Sequence, residues 1–176
     1  MIRRFRASFA RLSRARDGLA AVEFALIMPV FLLITVAIVD IGHAFYMKLR
    51  IVNATTAAAL YAQMNGQSLT SSTLGAFLSR VQAVAVASAD LPEPPVVTVL
   101  FNNASDAANL NGFYCLSGFP AVWTGTGSAS GTCGGSVSSG KFVTITISAS
   151  TSTLLVSDTI LGPTFATSDL AIVRVQ

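Results

Sequence analysis

The stretch that decides the fold runs from Leu19 to Val39 and reads LAAVEFALIMPVFLLITVAIV. It holds 21 residues and one charged side chain, Glu23. As an α-helix it is about 32 Å long, close to the roughly 30 Å thickness of a bilayer hydrocarbon core. It is also longer than the roughly 7 to 15 apolar residues of a cleaved signal peptide. The segment therefore predicts a helix that spans a membrane.

Arginines crowd the residues before this segment. The first 18 residues contain six arginines opposed only by Asp17, a formal charge of +5 in a chain whose net charge is +3. They are Arg3, Arg4, Arg6, Arg11, Arg14 and Arg16. Basic flanks stay on the cytoplasmic side, so everything after Asp40 is expected to cross the membrane. Because the apolar span follows at once, this topology is favoured over nucleic-acid binding by the basic patch.

Composition agrees with a membrane or partner-covered protein. The chain has 176 residues, 52% of them hydrophobic and only 11% charged. Soluble domains carry about 25% charged residues. The length suits one domain and a membrane anchor.

Two residues of the apolar segment do not suit a plain anchor. Pro29 removes a backbone hydrogen bond and is expected to kink or loosen the helix. Glu23 carries a carboxylate whose insertion costs a few kcal/mol. Either it lies close enough to the headgroups to tolerate this cost, or it pairs with a specific cation.

The residues around Gly18 resemble the processing site of type IV prepilins. The run from Asp17 to Phe24 is DGLAAVEF, with a glycine five residues before a glutamate. The longer run from Ala21 to Pro29, followed by Ile41 to Tyr46, is similar to TadE-like minor pseudopilins of the tight-adherence (Flp, type IVb) pilus machinery. The resemblance covers residues 17 to 64, and residues 167 to 175 resemble the closing strand of that family.

That resemblance implies a function and partners. A prepilin peptidase would cut after Gly18, so that Leu19 becomes the new N-terminus and Glu23 pairs with the terminal amine of a neighbouring subunit. The expected site residues are Gly18, Leu19, Glu23 and Phe24 for processing, with Glu23 and Pro29 for helix registry. The expected partners are the peptidase, other pilin and pseudopilin subunits, the inner-membrane assembly platform and the lipid bilayer. Nucleic acid is not expected, and the location is the bacterial inner membrane or, after assembly, an extracellular filament.

The helix is predicted to continue beyond the membrane to Met64. No proline breaks the run, and Asn65-Gly66 is a credible stop. One apolar stripe recurs at spacings of three and four and is expected to pack onto the head: Ile41, Phe45, Leu49, Val52, Thr56 and Ala59. The remaining chain predicts an α+β head, which gives three parts: a leader (1–18), the helix (19–64) and a periplasmic head (65–176).

The head is predicted to combine one helix with a short antiparallel sheet. Helical spacing of apolar residues covers residues 71–88, with Pro92 beyond its end. Strands are expected at Val96–Phe101, 142–148 and 170–175, because these stretches are β-branched or alternate apolar and polar residues. Leu170 and Ile172 fall on one side of the last strand.

A loop rich in Gly, Ser and Thr separates the predicted strands. Residues 124–140 contain six glycines, and the two cysteines, Cys115 and Cys133, bracket most of this loop. In an oxidising compartment these cysteines are expected to form a disulfide. Four aromatic residues lie close by: Phe113, Tyr114, Phe119 and Trp123. The loop is either a stapled surface segment or a contact surface, and Trp123 belongs either to that surface or to the core.

The sequence offers no catalytic constellation, so an enzyme is not expected. His43 is the only histidine, and with Asp40 it makes at most two metal ligands, so no metal site or cofactor is expected. The acidic residues of the head are scattered without motif spacing. Two other functions remain open: a permanently anchored periplasmic binding module that uses the Cys115–Cys133 loop, and a membrane-anchored envelope enzyme.

Overall fold

The computed structural model describes residues 17–135, 137–153 and 164–176. The chain forms two compact units. The first contains the N-terminal helix as far as His43, and the second contains Ala44–Ser152 and Thr164–Gln176. The six arginines of the leader lie outside the described residues. The fold is α+β, as the sequence predicts.

The N-terminal helix, α1, extends over Asp17–Asn65 and remains one helix through Pro29. It ends where the sequence predicts. The backbone N–H of Gly66 bonds to the carbonyl of Ala62, and a Cβ at Gly66 would lie 2.7 Å from Cβ of Val175. Only glycine fits so close to that neighbour, so the end of α1 is set by its contact with the last residues of the chain.

The face that α1 turns toward the head is not the predicted one. On the part of α1 that belongs to the head unit, the buried positions are Met47, Ile51, Ala54, Thr55, Ala58 and Ala62. The large residues of the predicted stripe lie outside, with Phe45 64% and Leu49 47% exposed. The prediction was wrong because this part of α1 is apolar on several sides, so hydrophobicity does not single out one face. Small side chains allow close approach of packed elements, and the alanine face is the one that packs.

The second helix, α2, covers Ser71–Ala89 and supplies the other helical layer of the head. Thr70 caps its first turn, and Asp90 ends it in the left-handed conformation. Its buried face is Leu74, Phe77, Val81, Ala85 and Ala89. Leu78 and Val84, two further apolar residues of this helix, are half-buried at the margin of that face.

Three antiparallel strands form the main sheet in the order β1-β6-β7. Strand β1 covers Val96–Phe101, β6 covers Phe142–Ser152 and β7 covers Thr164–Arg174. The inner face, with Val143, Ile145 and Ile147 buried on β6, packs against both helices. The other face carries Thr144 and Thr146, paired with Ile172 and Leu170 of β7. The predicted strands are confirmed, and the β6–β7 ladder is longer than their local patterns indicate.

Short elements fill the connection between β1 and β6. A 3₁₀ turn lies at Ala107–Asn109, followed by β2 (Tyr114–Ser117), β3 (Val122–Gly125), β4 (Thr132–Cys133) and β5 (Val137–Ser138). Strands β2 and β3 form a hairpin, and so do β4 and β5. Buried Asn102 ties the connection to the sheet. Its side chain donates to the carbonyls of Asn109 and Gly112 and accepts from the N–H of Phe142.

The part of α1 in the head runs in the same direction as β7. The Lys48 ammonium donates to the carbonyl of Ser168 and lies 3.1 Å from the Asp169 carboxylate. At the other end, Gly66 contacts Val175. A second ion pair joins Arg50 to Asp90 at the end of α2. These contacts fix α1 to the strand and to the second helix.

A matched pair of substitutions tests which face of α1 packs. Ile51 is fully buried, so Ile51→Ala is expected to lower the free energy of unfolding by about 3 kcal/mol. Leu49→Ala removes a half-exposed side chain and is expected to change it by no more than about 0.5 kcal/mol. Urea unfolding of the full chain in detergent micelles, followed by the fluorescence of the single tryptophan, measures both. Equal losses would contradict the assignment of the packed face.

Candidate assembly site

The predicted processing residues lie in the first turns of α1. Gly18 is helical, and Leu19, Glu23 and Phe24 are all exposed. Leu19 and Glu23 are four residues apart, so they lie one helical turn apart on the same face. An amine formed at Leu19 and the Glu23 carboxylate would therefore be displayed together at one end of the helix.

The helix that carries these residues is apolar and uncovered. Its large side chains from Leu19 to Val39 are exposed, including Phe24, Leu26 and Phe31, except for half-buried Val36. Among the described residues it is the one helix long and apolar enough to cross a membrane, by length and composition. These properties are compatible with a single-pass membrane protein.

Exposed apolar side chains continue along α1 after the membrane-length segment. Phe45, Tyr46, Leu49, Leu60 and Met64 are exposed on the part of α1 that belongs to the head unit. The side chains of Lys48 and Arg50, on the same part of α1, form the ion pairs with the head described above. The outward surface of α1 thus carries large apolar side chains beyond the membrane-length segment, with Asn53, Thr56, Gln63 and Asn65 exposed among them.

The polar residues at the end of the membrane-length segment differ in exposure. Asp40 is buried and His43 is half-buried. Within the described ranges, no group of three or more His, Cys, Asp or Glu side chains is placed to hold a metal ion.

The second candidate region of the sequence is built around a disulfide. Cys115 and Cys133 are bonded, with 5.3 Å between their Cα atoms, and the bond connects β2 to β4. Trp123 lies edge-on to Tyr114 and Phe142, with ring centroids 5.8 and 5.9 Å away. Trp123 therefore helps to hold the hairpin on the sheet, whereas Phe119 at the hairpin turn is 96% exposed.

Sequence reasoning missed the surface that these residues build. The β2–β3 hairpin and the outer face of the sheet enclose a groove lined by Leu116, Trp123, Thr144, Leu170 and Ile172. The weak signal for it was the sequence Gly118-Phe119-Pro120, which places an aromatic residue between two turn formers.

Comparison with known protein families finds a match for the N-terminal part of the chain. Residues 18–60 match the model of the family described as TadE-like protein. This segment is similar to TadE-like proteins. The match begins at the predicted processing glycine and includes Glu23, Pro29 and most of the part of α1 that packs in the head. It confirms, for this segment, the resemblance drawn from the sequence.

The TadE-like match ends before α2 and the sheet. No curated protein and no solved structure matches the chain. The groove and the disulfide-linked hairpin therefore lie outside the TadE-like segment, and their function has to be inferred from their own geometry.

Proposed function

We propose that this chain is a minor pseudopilin-like subunit of a tight-adherence (Flp, type IVb) pilus. A prepilin peptidase removes residues 1–18, and the subunit enters the filament through α1. It has no enzymatic role. Its partners are other pilin and pseudopilin subunits, the inner-membrane assembly platform and the lipid bilayer, with the N-terminus in the cytoplasm and the head in the periplasm.

The observation that carries this proposal is the extent of the exposed apolar surface on α1. A bilayer core is crossed by about 20 helical residues. The exposed apolar side chains of α1 extend from Leu19 to Met64. Lipid accounts for the first part of that surface, and helices of neighbouring subunits would cover the rest, which otherwise faces water at a cost of about 25 cal/mol per Å².

Processing would convert a membrane anchor into a filament subunit. Cleavage after Gly18 removes six guanidinium groups that resist transfer through an apolar environment. It also creates a terminal amine, largely charged at neutral pH, one turn from Glu23. The same cut thus releases the subunit for extraction and forms the group that Glu23 pairs with on a neighbour.

The mature N-terminus tests the proposal. The chain is produced in a bacterial host that contains a prepilin peptidase and in the same host without it, and both products are measured by intact mass and N-terminal sequencing. We expect the chain to start at Leu19 in the first host and to retain residues 1–18 in the second. A chain that retains the leader in both hosts would contradict the proposal. So would a chain that starts at Phe45, after a signal-peptide type of cut behind the small residues of Gly42-His43-Ala44.

A permanently anchored binding module is the second candidate, favoured by the groove beside exposed Phe119. It requires no cleavage after Gly18. The same mass measurement therefore separates the two functions.

A further inference from the structure

The groove on the outer face of the sheet has the size and chemistry of a binding site. Its volume is about 590 Å³, within the range of about 300–1,000 Å³ seen for ligand clefts. All of its lining side chains are uncharged. Leu116 and Trp123 come from the hairpin, Leu170 and Ile172 from β7, and Phe119 stands at its rim. An uncharged, largely apolar occupant fits this lining, and an anionic headgroup or a charged peptide does not.

The groove contains one polar group that lacks a partner. Thr144 lies on β6 and is 8% exposed. Its Oγ1 is buried and has no hydrogen-bond partner among the described residues. Leaving a buried hydroxyl without a hydrogen bond is unfavourable, but this oxygen is closed to the groove as well as to solvent. Thr144 therefore shapes the wall of the groove without offering an occupant a hydrogen bond.

One wall of the groove is the free edge of β7. Val175 donates its N–H to the carbonyl of Lys141, so the odd-numbered residues of this antiparallel ladder face β6. The even-numbered residues face away, which agrees with the Ser168 carbonyl receiving Lys48 from outside. The backbone groups of Leu170 and Ile172 therefore point outward, where the sheet order places no strand among the described residues. Such an edge is a template for an added strand.

Side chains limit this free edge to a short length. Lys48 occupies the carbonyl of Ser168 at one end. At the other end Arg174 folds back, donating from Nε to the carbonyl of Gln176 and from its guanidinium to the carbonyl of Ser139. Between them, Leu170 is 51% exposed and Ile172 is half-buried beside the groove. The open part of the edge is Leu170–Ile172.

These dimensions argue against a second copy of this chain as the occupant. A stable protein–protein interface needs about 800 Å² and 20–30 residues from each partner, far more than three edge residues and a groove supply. In addition, two identical edges related by a two-fold axis pair as antiparallel strands. Because only Leu170–Ile172 of each edge is open, that pairing would join no more than three residues of each chain.

We infer that the groove and the free edge of β7 together bind a short, uncharged, extended segment of another polypeptide. The segment adds as a strand beside Leu170–Ile172 and buries an apolar side chain against Phe119 and Trp123. Backbone hydrogen bonds give such strand additions affinity, and the pocket for a side chain gives selectivity. The choice of a foreign segment over a second copy rests on the small size of the open edge.

The test uses the full chain, labelled with ¹⁵N and held in detergent micelles. The probe is an acetylated and amidated peptide with the sequence of Phe142–Ser148, FVTITIS, which is uncharged and strand-forming. At saturating peptide, amide hydrogen exchange at Leu170 and Ile172 is expected to slow at least about tenfold, as hydrogen-bonded strand amides do. Exchange at Val137, an exposed residue of β5, is expected to stay the same.

Two proline substitutions make a matched pair, since each removes one outward N–H from β7. Ile172→Pro is expected to weaken peptide binding at least about tenfold, because it removes a donor within the open edge. Ser168→Pro removes the N–H of the residue whose carbonyl Lys48 already occupies, outside the open edge. Its affinity for the peptide is expected to stay within about twofold of that of the original chain. A ¹⁵N spectrum of each variant establishes that the sheet is retained.

Three results would overturn the inference: no slowing at Leu170 and Ile172, equal affinity in Ile172→Pro and the original chain, or protection of both amides by concentration-dependent dimers without peptide. None of them depends on cleavage after Gly18. Failure of this inference and failure of the proposed function are therefore seen in different experiments.

Discussion

Replacing Gly18 with alanine is expected to leave residues 1–18 attached and to lower the amount of the chain in sheared filaments at least about 100-fold. Proteolysis needs an extended backbone at the cut, and Gly18 lies in a helical turn of α1. Glycine in a helix is less stable than alanine by about 1 kcal/mol, so alanine makes this turn harder to open and adds a side chain at the cut. A retained leader keeps six arginines that resist extraction from the membrane.

The measurement is intact mass of the membrane fraction beside immunodetection of the filament fraction, in a host with its prepilin peptidase. Gly42→Ala is the matched control, because Gly42 lies in the same helix and a Cβ there meets no atom within 4 Å. This control is expected to be cleaved and incorporated normally. If Gly18→Ala were cleaved and incorporated like the control, the assignment of Gly18 as the processing residue would be wrong.

The sequence predicts the elements of this fold better than it predicts their contacts. Local patterns are strong in α1, α2 and the three long strands, because each of them contains a helical or alternating period of its own. The stop predicted at Asn65-Gly66 and the predicted β1 range are confirmed for the same reason. The ends of β6 and β7 depend on the pairing between the two strands. Ser152 pairs with Thr164, and this pairing extends both strands beyond the residues that local patterns predict.

The packed face of α1 could not be found from hydrophobicity. Phe45 and Leu49 are more apolar than Ala54 and Ala58, yet the alanines are buried and the larger residues are exposed. A soluble protein would bury the larger side chains to remove more apolar area from water. The reversed pattern is consistent with a helix whose outer side is covered by other molecules, so this failure of the sequence prediction is itself informative about function.

The groove could not be predicted because its walls are far apart in sequence. Leu116 and Trp123 reach Thr144 and Ile172 only after the hairpin folds over the outer face of the sheet. The four-residue strands of that hairpin are too short for a clear alternation. The disulfide was predictable, because two cysteines beyond a membrane span have one intramolecular pairing available.

Replacing Glu23 with glutamine is expected to leave cleavage intact and to lower incorporation into filaments at least about tenfold. Glu23 is exposed in the single chain, one turn from Leu19, and would be enclosed once neighbouring helices pack around it. Removing one partner of a buried ion pair costs about 3 to 5 kcal/mol, because the other charge is left without compensation. Here the uncompensated charge would be the terminal amine of a neighbouring subunit.

The amount of Glu23→Gln in the membrane fraction distinguishes a role in filament assembly from a defect in membrane insertion. Glutamine is less costly than glutamate in a bilayer, so the amount of Glu23→Gln in the membrane fraction is expected to equal or exceed that of the original chain while its filament fraction falls. Glu93→Gln, at an exposed acid of the head, serves as the control and is expected to change neither fraction. Normal incorporation of Glu23→Gln would mean that Glu23 is a carboxylate tolerated near the headgroups and has no part in registry. A loss from both fractions would point to failed insertion, which the amine pairing does not predict.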